Sequence, residues 1–299
     1  MAVQKLTTER LNEFLSFCRT HRAEVDESFL YDEDLRDFVL DDENPTYVAV
    51  APTDAIMGAA SVMNGALYRR GRKGRFRIFH VLSHDREVYG QLLASVRRDV
   101  PDLDDLYVFV REDNARVRNV LESIDFQVER HACVMVRDPA PVEKPDWEEG
   151  YVLRPMVFNR DEEDYCHVRN LGFAHLTGSE TPITPDEVSR MKDSDAYIES
   201  GVFLLYHHGH PVGVVRTSED IHEDKRVVSI GPLALVPGYQ GRGLGRQLLR
   251  AALSFGRDKG LLTAVLSANA DNENAVRLYV SEGFQTVEGV VCYNYRLPT

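Results

Sequence analysis

The 299-residue chain has no run of about twenty apolar residues, so no segment is expected to cross a bilayer as a helix. Its opening stretch, Met1 to Phe14, mixes Lys5, Glu9, Arg10 and Glu13 among apolar residues and lacks the apolar core of a secretory signal. Cysteine is scarce: Cys18, Cys133, Cys166 and Cys292 are scattered without metal-like spacing and read as reduced thiols of a cytoplasmic protein. Positive charge is short as well. A formal net charge of -13 argues against nucleic-acid binding and suits solubility or a cationic or amine substrate. His207, His208 and His210 crowd one turn with no Cys or carboxylate at ligand spacing, so no metal site is expected there.

Two common phosphate motifs are missing. No Gly-Lys-Ser/Thr follows a glycine-rich turn, and no Gly-x-Gly-x-x-Gly opens a strand–helix–strand unit. What stands in their place is Leu233-Ala234-Leu235-Val236-Pro237-Gly238-Tyr239-Gln240-Gly241-Arg242-Gly243-Leu244-Gly245-Arg246, an apolar strand running through a glycine turn into a helix start. A helix start leaves about four amides unpaired, and with the helix dipole they form an anion site. Gly241, Gly243 and Gly245 clear side chains from that backbone, while Arg242 and Arg246 add positive charge. The turn is expected to hold a pyrophosphate.

Pro139–Gly150 contains three prolines and no apolar periodicity, and reads as a linker between pieces 1–138 and 151–299. The pieces look like copies. In the second, strands are expected at Tyr151–Pro155, Val202–Tyr206, Val212–Thr217, Arg226–Val236, Leu262–Leu266 and Thr286–Arg296, with helices at Gly243–Lys259 and Asn272–Ser281 and a capping box at Thr184–Glu187. In the first, strands at Tyr47–Ala51, Met57–Val62, Phe76–Leu82, Leu106–Val110 and Gln127–Val136 and helices at Val88–Arg98 and Asn114–Glu122 repeat that order. Pairing Phe126 with Phe284 sets Asn114 against Asn272 and Leu121 against Tyr279. The glycine turn is replaced by Ser83–Val88, whose Asp85 and Glu87 would repel a pyrophosphate. The first piece is thus expected to be structural.

The arrangement Gln240-x-x-Gly243-x-Gly245 after Leu-Ala-Leu-Val-Pro resembles the acetyl-CoA signature of the GNAT superfamily of N-acyltransferases. The block from Asn272 through Ala275, Leu278 and Tyr279 to Gly283-Phe284 resembles that family's second hallmark. The resemblance implies an α/β fold with a mixed sheet in two tandem copies, the first degenerate. It implies transfer of acetyl from acetyl-CoA to a primary amine of a small molecule or peptide by direct attack, in the C-terminal domain. A CoA-binding sensor or scaffold without catalysis stays open beside it. Donor contacts would fall to the backbone of Leu233, Ala234 and Leu235, to Gln240, Gly241, Arg242, Gly243, Leu244, Gly245 and Arg246, and to Asn272. Tyr279 would be the general acid to the thiolate. Members that acetylate protein N-termini can carry Glu five positions before the Asn, where this chain has Ser267. The general base is open among Glu219, Asp220, His222, Glu223, His175, Glu180 and a water chain.

Overall fold

The computed structural model describes residues 1–298. The chain divides into two compact units, one of Met1–Ala132 rejoined by the chain from Gly289 onward, the other of Cys133–Glu288.

The first unit runs β1 (Ala2–Lys5), α1 (Leu11–His21), α2 (Asp32–Arg36), β2 (Thr46–Val50), β3 (Ile56–Met63), α3 (Ala66–Gly71), β4 (Lys73–Val81), α4 (Arg86–Val96), β5 (Asp105–Arg111), α5 (Ala115–Ser123) and the start of β6 (Gln127–Arg137). The second runs from the end of β6 through β7 (Tyr151–Pro155), α6 (Glu162–Phe173), α7 (Pro185–Ser189), β8 (Tyr197–His207), β9 (His210–His222), β10 (Lys225–Leu235), α8 (Leu244–Asp258), β11 (Ala264–Asn269), α9 (Glu273–Ser281) and the start of β12 (Gln285–Arg296). The sheet order is β1-β2-β3-β4-β5-β12 in the first unit and β6-β11-β10-β9-β8-β7 in the second. The two orders match, and each unit takes its last strand from the other half of the chain.

The division expected at 139–150 differs from this one. Those residues form no helix or strand apart from the turn at Glu149 and Gly150, but they are held to the second unit rather than spanning a gap. Arg137 donates to the Pro141 carbonyl at 2.8 Å, Glu143 pairs with Arg250 at 2.6 Å, and the Asp146 amide donates to Gln247 at 2.9 Å. Val142 and Trp147 pack on the apolar core.

Local chemistry explains the second unit's elements. Thr184 caps α7 reciprocally with Glu187, and Pro185 takes the first helical position. Helix α8 buries Leu244, Leu248, Leu249, Ala252 and Leu253 along one face, against Leu205, Val215, Val228 and Leu266 of the sheet. Each such leucine side chain contributes about 2–3 kcal/mol by burial.

Candidate functional site

Strand β10 stays with β9 but leaves β11. The parallel pairing of β10 with β11 covers Val228–Ala264 and Ser229–Val265. Beyond it a bulge sets in, where Ile230 faces Thr217 and Leu233 faces Val215. Pro232, lacking an N–H, lies inside that bulge. The two strands separate, and a cleft of ≈ 890 Å³ opens beside them. Leu233, Ala234 and Leu235 form one wall, and Asn269, Asn272, Asn274, Ala275 and Leu278 another. The end of α6 and the chain after it close the third side with Leu171, Phe173, His175, Leu176 and Thr177. Gly172 lets α6 lie against β10: a Cβ there would stand 2.9 Å from the Leu235 carbonyl oxygen.

The glycine turn forms the floor. Gly241 and Gly243 adopt φ of 75° and 81°, the left-handed region that other residues enter at a cost. A Cβ at either would meet nothing within 4 Å, so the space beside them is open. Gly243 is the N-cap of α8 and offers no side chain to it. The hydrogen-bond ladder begins with the Arg246 amide on the Gly243 carbonyl at 3.0 Å, so the amides before it are the free donors of a helix start.

Other residues of the turn have structural duties. Gln240 donates to the Leu235 carbonyl at 3.0 Å and pins the turn to the strand end, so that carbonyl is already engaged. Arg246 reaches the Ser281 hydroxyl and the Glu282 carboxylate, each at 3.1 Å, and Arg242 lies over the Tyr239 ring. Leu244 is buried and anchors α8 in the core.

Asn272 lines the cleft and also caps α9, its carbonyl accepting from the Ala275 amide at 3.2 Å. Tyr279 is half-buried and packs edge-on to Phe284, with ring centroids 6.0 Å apart. It is not among the side chains lining the cleft; Leu278, its neighbour, is. Burial, with a smaller effect from the Cys133 thiol, pushes its phenol up to about 12.

Among the candidate bases, His175 alone lines the cleft. Glu219 is tied to Arg226, which lowers its carboxyl, and Asp220 is raised by burial in β9, away from the cleft lining. Glu180, His222 and Glu223 also lie outside that lining, as does Ser267. The cleft residues that sequence reading passed over include Leu171, Gly172, Phe173, Leu176, Thr177, Asn269, Asp271 and Asn274. Their only signal was position, at the end of α6 or just after it, and on either side of the α9 cap.

The first unit supplies a control. Strands β4 and β5 pair at Lys73–Asp105, Gly74–Leu106 and Arg75–Tyr107, then part. The corresponding slot is filled: Glu24, Val25 and Asp26 lie between Phe76–Phe79 and Val108–Val110, leaving ≈ 10 Å³. Asn114 caps α5 through the Val117 amide at 3.2 Å, with φ and ψ of -84° and 67° beside -83° and 71° at Asn272. Its side-chain amide donates to the Glu24 carbonyl at 3.1 Å. Asp85 caps α4 with its carboxylate on the Glu87 amide at 2.8 Å. Both places that stand open in the second unit are occupied here by the chain's own groups.

Comparison with known proteins agrees with this architecture. Residues 171–284 match the acetyltransferase (GNAT) family. The chain is 25% identical over 249 residues to the mycothiol acetyltransferase of Streptomyces griseus, covering 83% of this chain and 75% of that protein. It is 30% identical over 150 residues to the Streptomyces coelicolor protein of the same name, covering 50% of this chain and 48% of that one. The Nocardiopsis dassonvillei protein of that name is 31% identical over 161 residues, covering 52% and 48%. The matched region thus spans about half the length of the latter two relatives. Among solved structures, a GCN5-related N-acetyltransferase from Sphaerobacter thermophilus superposes with a TM-score of 0.73 at 18% identity, covering 99% of this chain and 95% of that one. A tandem GNAT protein from the clavulanic acid biosynthesis pathway gives 0.68 at 14% identity, covering 100% and 99%. The fold is that of a tandem GNAT protein. The match to the acetyltransferase (GNAT) family falls within the second unit.

Proposed function

We propose that the second unit binds acetyl-CoA in the slot between β10 and β11 and passes its acetyl group to a primary amine of a small molecule or peptide. The observation that carries this reading is the contrast between the two slots. One cap geometry at Asn114 and Asn272 sits beside a slot of ≈ 10 Å³ filled by the chain and an open cleft of ≈ 890 Å³. The open one adds free helix-start amides and two glycines with room beside them, a fit for a pyrophosphate and its pantetheine arm.

The donor thioester supplies an activated carbonyl to a nucleophile. Backbone groups of Ile230–Leu235 freed from β11 are suited to hydrogen-bond the arm and to polarise a carbonyl oxygen. The amine nitrogen attacks that carbonyl and the C–S bond breaks. His175 takes the proton from the amine, and Tyr279, kept protonated by burial, returns one to the departing thiolate.

One observation favours a second reading, a CoA-binding sensor without catalysis: Tyr279 is absent from the cleft lining. Calorimetric titration of acetyl-CoA into the intact protein tests both. Binding at one site per chain, abolished in Gly243→Glu, is expected under either reading. Thiol release on adding an amine acceptor distinguishes the enzyme. No binding at millimolar donor retires both.

A further inference from the structure

We propose that the first unit holds a divalent transition-metal site, for zinc in the first instance, built from His21, Glu24 and His80. It is independent of the acyl-donor reading and lies wholly within the first unit. His21 is the last residue of α1, Glu24 stands in the turn that follows, and His80 is near the end of β4.

One ligating atom from each residue lies within 4.8 Å of the other two. Glu24 reaches both histidines, with Oε1 2.9 Å from His21 Nδ1 and Oε2 3.2 Å from His80 Nε2. Ligands of a tetrahedral zinc, each about 2.0–2.1 Å from the ion, stand roughly 3.3 Å apart. The spacing already approximates a coordination shell. Two imidazoles and one carboxylate also form a donor set that zinc takes with one position left for water.

The independent observation is His80. The residue is fully buried, and neither ring nitrogen has a hydrogen-bond partner of proper geometry. Its 3.2 Å approach to Glu24 has the distance of a contact without the alignment of a hydrogen bond. Buried polar atoms are nearly always satisfied, and an ion is one of the few partners that would satisfy this one. Burial pushes the His80 imidazole down to about 4, which keeps it neutral, the form that ligates.

The surroundings suit a structural ion. Phe17 lies against the His21 ring at 4.6 Å and steadies it, while the half-exposed Glu24 side chain gives an ion a way in. His84 stands beside His80, ring centroids 5.9 Å apart. Since Glu24 begins the segment that fills the β4–β5 slot, an ion here would fasten that segment to α1 and β4. The histidine turn at His207, His208 and His210 differs: His207 Nδ1 is engaged by the Tyr239 hydroxyl at 2.9 Å.

The test uses the full chain without an affinity tag, stripped with a chelator that is then dialysed away. Zinc chloride is titrated by calorimetry, and the melting temperature is read with and without zinc. One zinc per chain and a raised melting temperature are expected. Glu24→Gln and His21→Asn, both at the surface side of the cluster, should each weaken zinc binding by at least about tenfold. A His208→Asn/His210→Asn double variant should bind as the parent does. The proposal is overturned if the parent shows no saturable zinc binding, if binding survives in both cluster variants, or if it is lost with the turn histidines. Melting of each variant in the absence of zinc verifies that the fold is intact.

Discussion

The side-chain amide of Asn114 donates to the main-chain carbonyl of Glu24 at 3.1 Å, so the first unit spends on its own backbone a donor that its second copy, Asn272, turns toward an open cleft. Both asparagines cap the helix that follows, at the same 3.2 Å. Keeping Asn at this place therefore has a folding reason in both units, and only in the second does it also line an open cleft. The pattern extends to the helix start before it: Asp85 puts a carboxylate on the Glu87 amide, where Gly243 leaves the corresponding donors of α8 free.

Aspartate separates the two duties of the asparagine. It caps a helix about as well as Asn but has no amide to donate. Asn272→Asp should leave the melting temperature nearly unchanged and weaken acetyl-CoA binding roughly three- to tenfold, the worth of one hydrogen bond of about 0.5–1.5 kcal/mol. Asn114→Asp should leave acetyl-CoA binding alone and cost about 1–3 kcal/mol of stability, since a carboxylate would face the Glu24 carbonyl. Calorimetry and chemical denaturation on the two variants check this, and identical behaviour of the pair would refute it.

Copying the first unit's helix cap into the second gives another expectation. Aspartate tolerates positive φ better than most residues, so Gly243→Asp should destabilise the protein by only about 1 kcal/mol. Its carboxylate would occupy the first amides of α8 as Asp85 does those of α4. Acetyl-CoA binding should be lost in Gly243→Asp and retained, though weakened, in Gly243→Ala. Donor affinity that is equal in the two variants would show that the helix start holds no anion.

Most of the fold was legible because its signals are local. Strand alternation, the Thr184 capping box and the Asn272 helix start each depend on a few neighbouring residues. The expected strands and helices are all present, although β8 starts at Tyr197 rather than Val202, β9 runs on to His222 rather than Thr217, and β1, α1, α2 and α3 carried no expectation. The exchange of last strands was not legible. Gln127–Val136 and Thr286–Arg296 carry the same alternation, which either unit's open edge would satisfy, so periodicity cannot say which partner is taken. The filled slot of the first unit was also hidden. Glu24-Val25-Asp26 has no motif, and its place between β4 and β5 is a matter of tertiary packing. At the site, the glycine turn could be read because positive φ demands glycine, whereas helical spacing does not say which of the neighbours Leu278 and Tyr279 lines the cleft; here Leu278 does. Spacing fixes a face only to within about 100° when the helix can roll against its sheet.

Acid should probe the second unit through Asp161. Its carboxyl is almost wholly buried, which alone would raise its pKa, but Arg154 at 2.6 Å, Arg160 at 2.9 Å and the Val157 amide at 2.8 Å together hold it well below the usual range. A depressed folded pKa means the unfolded chain binds the proton more tightly. The stabilisation is therefore present above the unfolded value of about 3.9 and lost as pH falls through the folded one. Asp161→Asn should cost roughly 2–3 kcal/mol at pH 7, discounted because Arg160 is exposed. The gap between parent and variant should close as the pH is lowered from about 5 toward 2. Denaturant midpoints across that range decide it, and a gap independent of pH would mean the ion pairs contribute little.

Tyr279 divides the enzyme reading from the sensor reading. Burial keeps the phenol protonated up to about 12, with a smaller effect from the Cys133 thiol. Removing its hydroxyl in Tyr279→Phe should therefore change stability by less than about 1 kcal/mol and leave acetyl-CoA affinity as in the parent. If Tyr279 protonates the leaving thiolate, kcat should fall about 10²- to 10⁴-fold. The pH profile carries an independent sign. An acid that stays protonated to about 12 imposes no falling limb on kcat between pH 7 and 10, so the parent should rise with pH, as the amine loses its proton, and then level off. In His175→Ala, which removes the one candidate base lining the cleft, kcat should fall. A Phe variant with unchanged kcat assigns the acid role elsewhere; a parent whose kcat declines near pH 9, with that decline absent from the Phe variant, shows that the phenol ionises in the normal range and stands in contact with water.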